Sequence, residues 1–213
     1  MDTPLIPVYL MEYLDSLVPA RPPEMQAMET YALEIDFPII GPSSGYLCYQ
    51  VARMIGARRI FELGSGYGYS TAWFARAVSE NGGGEVFHVV WDEALSQQAH
   101  QHLAVLGYTD IIRYHVAEAV QTLRETAGPF DLIFNDINKD GYAASLPVIS
   151  EKLRPGGVLI VDNMLWHGNI FKAGDMSAET TSVRKLTELL THSPDWIVSL
   201  APVRDGVVVA YKN

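Results

Sequence analysis

From Arg59 onward, apolar residues come in short runs separated by longer stretches in which they recur three and four positions apart. The runs 59–63, 85–90, 111–115, 130–135 and 157–161 have strand length and are rich in β-branched and aromatic residues. The stretches 69–79, 93–106, 117–126 and 141–153 have the helical period. Strand and helix in strict alternation predict a parallel sheet covered by helices on both faces. After a further helix near 178–191, the runs Trp196–Leu200 and Val207–Tyr211 are joined by a few residues that include Asp205 and Gly206. A parallel crossover needs about a dozen residues or more, so this joint makes a hairpin and one late strand runs backwards.

Upstream of Arg59 the pattern is helical only. Residues 4–18 and 23–36 read as helices split by Pro19, Pro22 and Pro23, and Gly41 with Pro42 closes this section. A third helix is expected from Ser43 or Ser44, as cap, to about Gly56. The division is thus a helical N-terminal extension, 1–42, and a Rossmann-like core, 43–213, in one domain. With 213 residues, 48% of them hydrophobic, the chain can bury a sizeable core. Its 25 acidic and 15 basic residues give a formal charge of −10, which repels phosphate backbones and anionic lipid, so neither nucleic acid nor a membrane is an expected partner. Cys48 is the only cysteine and no intrachain disulfide can form, which suits a reducing cytoplasm. No run approaches the roughly 18 apolar residues of a membrane span.

Three places carry chemistry. The first strand ends in Glu62-Leu63-Gly64-Ser65-Gly66-Tyr67-Gly68-Tyr69-Ser70, directly before a helix. Alternating glycines allow a sharp turn and close approach of a ligand, and the free amides of the helix favour a carboxylate or phosphate. Asp136 follows the run 130–135, and Asp162 and Asn163 follow 157–161. If those runs are neighbouring parallel strands, three oxygen-bearing side chains meet at one sheet edge, a donor set for a hard divalent cation. Among the histidines, His100 and His102 are two apart and face different sides of a helix, which argues against a zinc pair. Trp166 and His167 are candidates to wall a pocket for a flat ring, although a packed loop tryptophan reads equally well.

These segments, together with Lys139 and Tyr142 after Asp136, Trp166 and Gly168 after Asn163, and Asp205-Gly206, occur in one order across residues 20–213. In that order they resemble the cation-dependent class I O-methyltransferases of the catechol and caffeoyl-coenzyme A type. The resemblance implies a doubly wound seven-stranded α/β sheet of order 3-2-1-4-5-7-6, strand 7 antiparallel, with S-adenosylmethionine over the carboxyl ends of the strands. It implies that Gly64, Ser65 and Gly66 lie against this cosubstrate, that Tyr69 and Ser70 hold its amino acid end, and that Glu62 positions its ammonium group. The backbone near Ile40 would close over it, Glu118 would stand near the adenine, and Asp136 would adjoin both cosubstrate and metal. Asp136, Asp162 and Asn163 would ligate Mg²⁺, with Mn²⁺ or Ca²⁺ as alternatives. Lys139 would be the general base or stabilise the phenolate of a small acceptor with neighbouring hydroxyls. The expected assembly is a homodimer. The N-terminal helices have three candidate roles: packing on the domain, covering the acceptor site, or forming the dimer contact.

Two positions depart from the family pattern. Asn138 replaces a second aspartate, and Val90 stands where relatives carry the acid that binds the ribose hydroxyls; a valine accepts no hydrogen bond. Either Asp92 substitutes from two positions on, or cosubstrate affinity is weakened, or a different ligand is used; the alternative function is a catalytically impaired relative that binds S-adenosylmethionine or another ligand. Nicotinamide chemistry is disfavoured, because the glycine spacing is not the dinucleotide pattern and the ribose acid is missing.

Overall fold

The computed structural model describes residues 5–213. Helices α1 (Val8–Ser16), α2 (Pro23–Glu34) and α3 (Gly41–Met54) precede β1 (Arg59–Leu63), α4 (Tyr69–Glu80), β2 (Glu85–Val90), α5 (Glu93–Val105) and β3 (Ile112–Val116). Then follow α6 (Ala119–Glu125), β4 (Phe130–Asn135), α7 (Tyr142–Lys152), β5 (Leu153–Val161), α8 (Ala178–Thr191), β6 (Trp196–Ala201) and β7 (Val207–Lys212). The seven strands form one sheet in the order β3-β2-β1-β4-β5-β7-β6. β7 is antiparallel to both β5 and β6, as the short joint required.

The central strands are sealed on both faces. One side buries Ile60, Val86, Leu132 and Ile160 against Met28, Cys48, Trp73 and Ala99 of α2 to α5. The other buries Phe61, Val89, Ile133 and Leu159 against Leu123, Ile149 and Leu186 of α6 to α8. Because both faces are covered, the strands read as continuous apolar runs rather than alternating ones. Asp131, at the amino end of β4, accepts from Arg58 N and Arg59 N, each at 2.8 Å, and from Arg154 Nε at 2.7 Å, tying β1, β4 and β5 at the edge away from the site.

Several boundaries differ from the sequence expectation. Residue 4 of the first predicted helix lies outside the described residues, and α1 begins at Val8. α3 starts at Gly41, with Pro42 in its first turn, so neither Ser43 nor Ser44 is the cap. Proline is preorganised for a first helical turn, where its missing N–H costs nothing. α7 stops at Lys152, and β5 begins at Leu153 rather than 157. The Arg154-Pro155-Gly156-Gly157 stretch reads as a turn, yet it continues the strand through a register shift opposite Phe130 and Leu132, where proline is tolerated. Among the described residues, no helix is long and apolar enough to cross a membrane.

Candidate active site

The strand order reverses its direction of growth between β1 and β4, where their carboxyl ends leave a crevice. The turn after β1 places Gly64, Gly66 and Gly68 at φ +86°, +51° and +93°, values open to glycine and costly for other residues. Asp136 N donates to Leu63 O at 2.8 Å, and a Cβ on Gly64 would stand 2.6 Å from the Asp136 carbonyl oxygen. The glycine turn and the first candidate metal ligand are therefore in backbone contact. Gly64→Ala combines a forbidden φ with an overlap against backbone and is expected to cost roughly 2–4 kcal/mol, measured by urea unfolding.

A cavity of about 1430 Å³ opens over this edge and is lined by Gly64, Gly66, Asp92, Glu118, Asp136, Lys139, Asp162 and Asn163 among others. A narrow crevice of about 30 Å³ beside it is lined by Ile40, Ser65, Tyr69 and Ser70 with Gly64, Gly66 and Asp136. All the predicted site residues except Glu62 thus border one continuous region. Glu62 is fully buried, and neither of its carboxylate oxygens makes a hydrogen bond of ordinary geometry among the described residues. Burial pushes its carboxyl up to about 8, against the opposing influence of the Ser70 and Thr71 hydroxyls and with Asp136 adding repulsion. An acid buried without a partner costs stability unless a cation or donor meets it. It fits the ammonium of an amino acid group.

The other predicted contacts divide by what their side chains already do. Ser65 is a strand tie, since its Oγ accepts from Val89 N at 2.9 Å and its own N donates to Val89 O. The Tyr69 hydroxyl donates to Glu29 Oε1 at 2.7 Å and so braces α2, which leaves Tyr69 its backbone amide for a ligand. Asp92 caps α5 through Oδ1, which accepts from Ala94 N and Leu95 N. Both Glu118 oxygens cap α6, accepting from Val120 N and Gln121 N. Val90 is buried at the end of β2 and lines the cavity beside an exposed Trp91.

At the other end, Asp162 is buried and Asp136 half-buried. Burial raises the carboxyls of both; Asp162 reaches about 7, with repulsion from Asp136 adding to the effect. Lys139 Nζ donates to Asp136 Oδ1 at 2.6 Å, and its ammonium lies over the Tyr142 ring. Tyr142, wholly buried, donates to Asp162 O at 2.9 Å, so one side chain braces the loops after β4 and β5. Asn163 sits at φ +55°, which turns the chain immediately after Asp162. Among the described residues no group of three His, Cys, Asp or Glu side chains is placed to hold a metal ion. A cation here would rest on two carboxylates and an amide, an all-oxygen set that suits Mg²⁺ or Ca²⁺ better than zinc. The repulsion of buried Asp162 by half-buried Asp136 fits such a charge.

Trp166 and His167 line the cavity, as one of the two sequence readings had it, and both have positive φ. Asp205 Oδ1 accepts from His167 N at 2.7 Å, which pins this loop to the β6–β7 joint. Leu5, Ile6 and Met11 also face the cavity, so the N-terminal segment contributes apolar wall to it. Arg204 was not anticipated; its only sequence signal is its place before Asp205-Gly206. His102 Nδ1 pairs with Glu24 at 2.6 Å, while His100 stacks on Tyr114.

Comparison with known proteins agrees with this arrangement. Residues 25–213 match the family model described as O-methyltransferase. A catechol O-methyltransferase of Mycobacterium tuberculosis is 29% identical over 198 residues, which cover 91% of this chain and 88% of that protein. A catechol O-methyltransferase of Niastella koreensis is 28% identical over 155 residues, covering 71% of this chain and 69% of the relative. The O-methyltransferase TomG from Streptomyces achromogenes, solved in complex with SAM, superposes with a TM-score of 0.86 at 27% identity, covering 96% of each chain. Glycine turn, sheet order and matched span together place this chain in the O-methyltransferase family.

Proposed function

We propose that this protein transfers the methyl group of S-adenosylmethionine to one of two neighbouring hydroxyls of a small phenolic acceptor, supported by a divalent cation. The observation that carries the reading is that two buried acids on one crevice, Glu62 and Asp162, have no ion-pair partner among the described residues, while Asp136 beside the second is paired with Lys139. Glu62 lies beneath the glycine turn, and Asp162 with Asp136 lies at the ends of β5 and β4. Bound there, S-adenosylmethionine would offer its ammonium to Glu62. Its carboxylate meets the free amides at the start of α4, next to Ser70.

A cation held by Asp136, Asp162 and Asn163 would make a phenol more acidic. The chain's own residues do the rest. Lys139, held by Asp136, presents an ammonium that stabilises a phenolate, or, after giving a proton to solvent, takes the phenol's proton as a neutral amine. The Trp166 face and the apolar side chains of Ile6 and Met11 hold the ring and exclude water. Positioning of this kind supplies roughly 7–11 kcal/mol in well-oriented reactions.

Val90 makes cosubstrate binding the step to test first. Isothermal titration with S-adenosylmethionine, with and without Mg²⁺, is expected to give micromolar binding, followed by Mg²⁺-dependent methylation of catechol. Binding with no methyl transfer to any catechol would favour the ligand-binding relative without catalysis.

A further inference from the structure

Three cationic side chains of fixed charge line the large cavity, and two of them have partners. Arg124 Nη1 donates to Gln121 Oε1 at 2.9 Å, and Lys139 is paired with Asp136. The third, Arg204, is half-buried, and among the described residues its guanidinium makes neither a hydrogen bond nor an ion pair within 4 Å. It senses Asp162 without touching it.

Its placement is constrained twice. Arg204 has φ +51°, in a turn closed by Gly206 N donating to Val203 O at 2.9 Å. A left-handed backbone at a long side chain is unfavourable and persists where surrounding structure imposes it. The side chain then lies across Gly41, where a Cβ would overlap the guanidinium and stand 2.7 Å from its Cζ. Gly41 opens α3, so the guanidinium lies against the start of a 14-residue helix, where Ser43 N already donates to Asp15 Oδ1 at 3.0 Å and no acid bonds the guanidinium itself among the described residues. A cation held in that position by a strained turn and a glycine gap is arranged for an anion from outside the chain.

We infer that Arg204 binds an anionic substituent of the acceptor, and that the preferred substrates are dihydroxyphenyl compounds bearing a carboxylate. The inference rests on the methyl-transfer reading above. A planar guanidinium fork matches a carboxylate with two parallel hydrogen bonds. The cosubstrate has a carboxylate too. Arg204, however, borders the large cavity that also holds Asp162, Asn163, Trp166 and His167, and not the crevice formed by Ile40, Tyr69 and Ser70. The acceptor is therefore the source assigned.

The test compares 3,4-dihydroxybenzoate with its uncharged methyl ester, using wild type and Arg204→Asn, since asparagine tolerates the left-handed backbone. Wild type is expected to prefer the acid in kcat/KM by on the order of tenfold or more, expressed mainly in KM. The variant is expected to lose that preference, to keep its turnover of the ester, to bind S-adenosylmethionine within about twofold of wild type, and to melt no lower. Arg204→Lys is expected to recover part of the preference. Equal use of acid and ester by wild type, or the same preference in both proteins, would overturn the assignment while leaving methyl transfer intact. A variant that instead loses cosubstrate affinity would move Arg204 to the other carboxylate and also overturn it. Failure of wild type to methylate either compound with Mg²⁺ would remove the parent reading, and the inference with it.

Discussion

Asp162→Ala is expected to lower Mg²⁺-supported methyl transfer on the order of 10³-fold or more while leaving the affinity for S-adenosylmethionine within a few-fold of wild type. Asp162 is buried at the end of β5, where its charge is disfavoured by burial and by Asp136. Its removal takes away one of two carboxylates, and several kcal/mol of charge stabilisation is worth about a decade of rate per 1.36 kcal/mol. The fold should not suffer. The backbone carbonyl of Asp162, which accepts from Tyr142, survives the substitution, and the apoprotein is relieved of a buried acid. Steady-state assays across Mg²⁺ concentrations, beside thermal melting, separate the two effects. Activity retained at wild-type level would show that Asp162 holds no cation needed for turnover.

The second large effect falls on Glu62. In the folded chain its carboxyl is raised from 4.5 to about 8 by burial. A raised acid contributes stability that is present below the unfolded value and lost as pH climbs through the folded value, so ionising Glu62 costs roughly 3–5 kcal/mol by pH 8. Glu62→Gln is therefore expected to match wild type near pH 4.5 and to exceed it in stability at pH 8, without ligand. Binding should change in the opposite sense. Wild-type affinity for S-adenosylmethionine rises by up to about tenfold per pH unit toward pH 8, as Glu62 gives up its proton to the bulk. Above that it falls, because an α-amino group of ordinary pKa, about 7.7–8.0, loses its own charge. In the variant the rise should vanish and the affinity at pH 8 should drop about 10²-fold, the loss of a buried charge pair. Titration calorimetry at four or five pH values, with urea unfolding alongside, reads both. A variant that is less stable at pH 8, or that binds with the wild-type pH profile, would remove Glu62 from the cosubstrate site.

Most elements were legible because each central strand is buried on both faces and carries a continuous apolar run, whereas the sheet order followed only from the family resemblance. The hairpin at the end followed from chain length alone. The boundaries that slipped are those where two readings share one residue type. Gly41-Pro42 ends one helical section and begins the next, and Pro155-Gly156-Gly157 is turn-like in isolation yet strand in the presence of β4. The site was legible where chemistry and position coincide, as at Asp136 and Asp162 at strand ends. What stayed hidden was side-chain occupancy: nothing in the sequence says that Tyr69 is already bonded to Glu29, or that Glu118 spends both oxygens on the start of α6. Arg204 stayed hidden for a related reason. Its significance lies in a turn conformation and a gap over Gly41, more than 160 residues away in sequence.

The contact between Gly64 and the Asp136 carbonyl gives the two halves of the crevice a shared backbone. A shift in one cannot occur without a shift in the other, since no side chain lies between them to absorb it. Whatever free energy one occupant gains from settling that backbone is returned to the other in equal measure. If cosubstrate and cation occupy those two halves as proposed, the affinity for each would depend on the other.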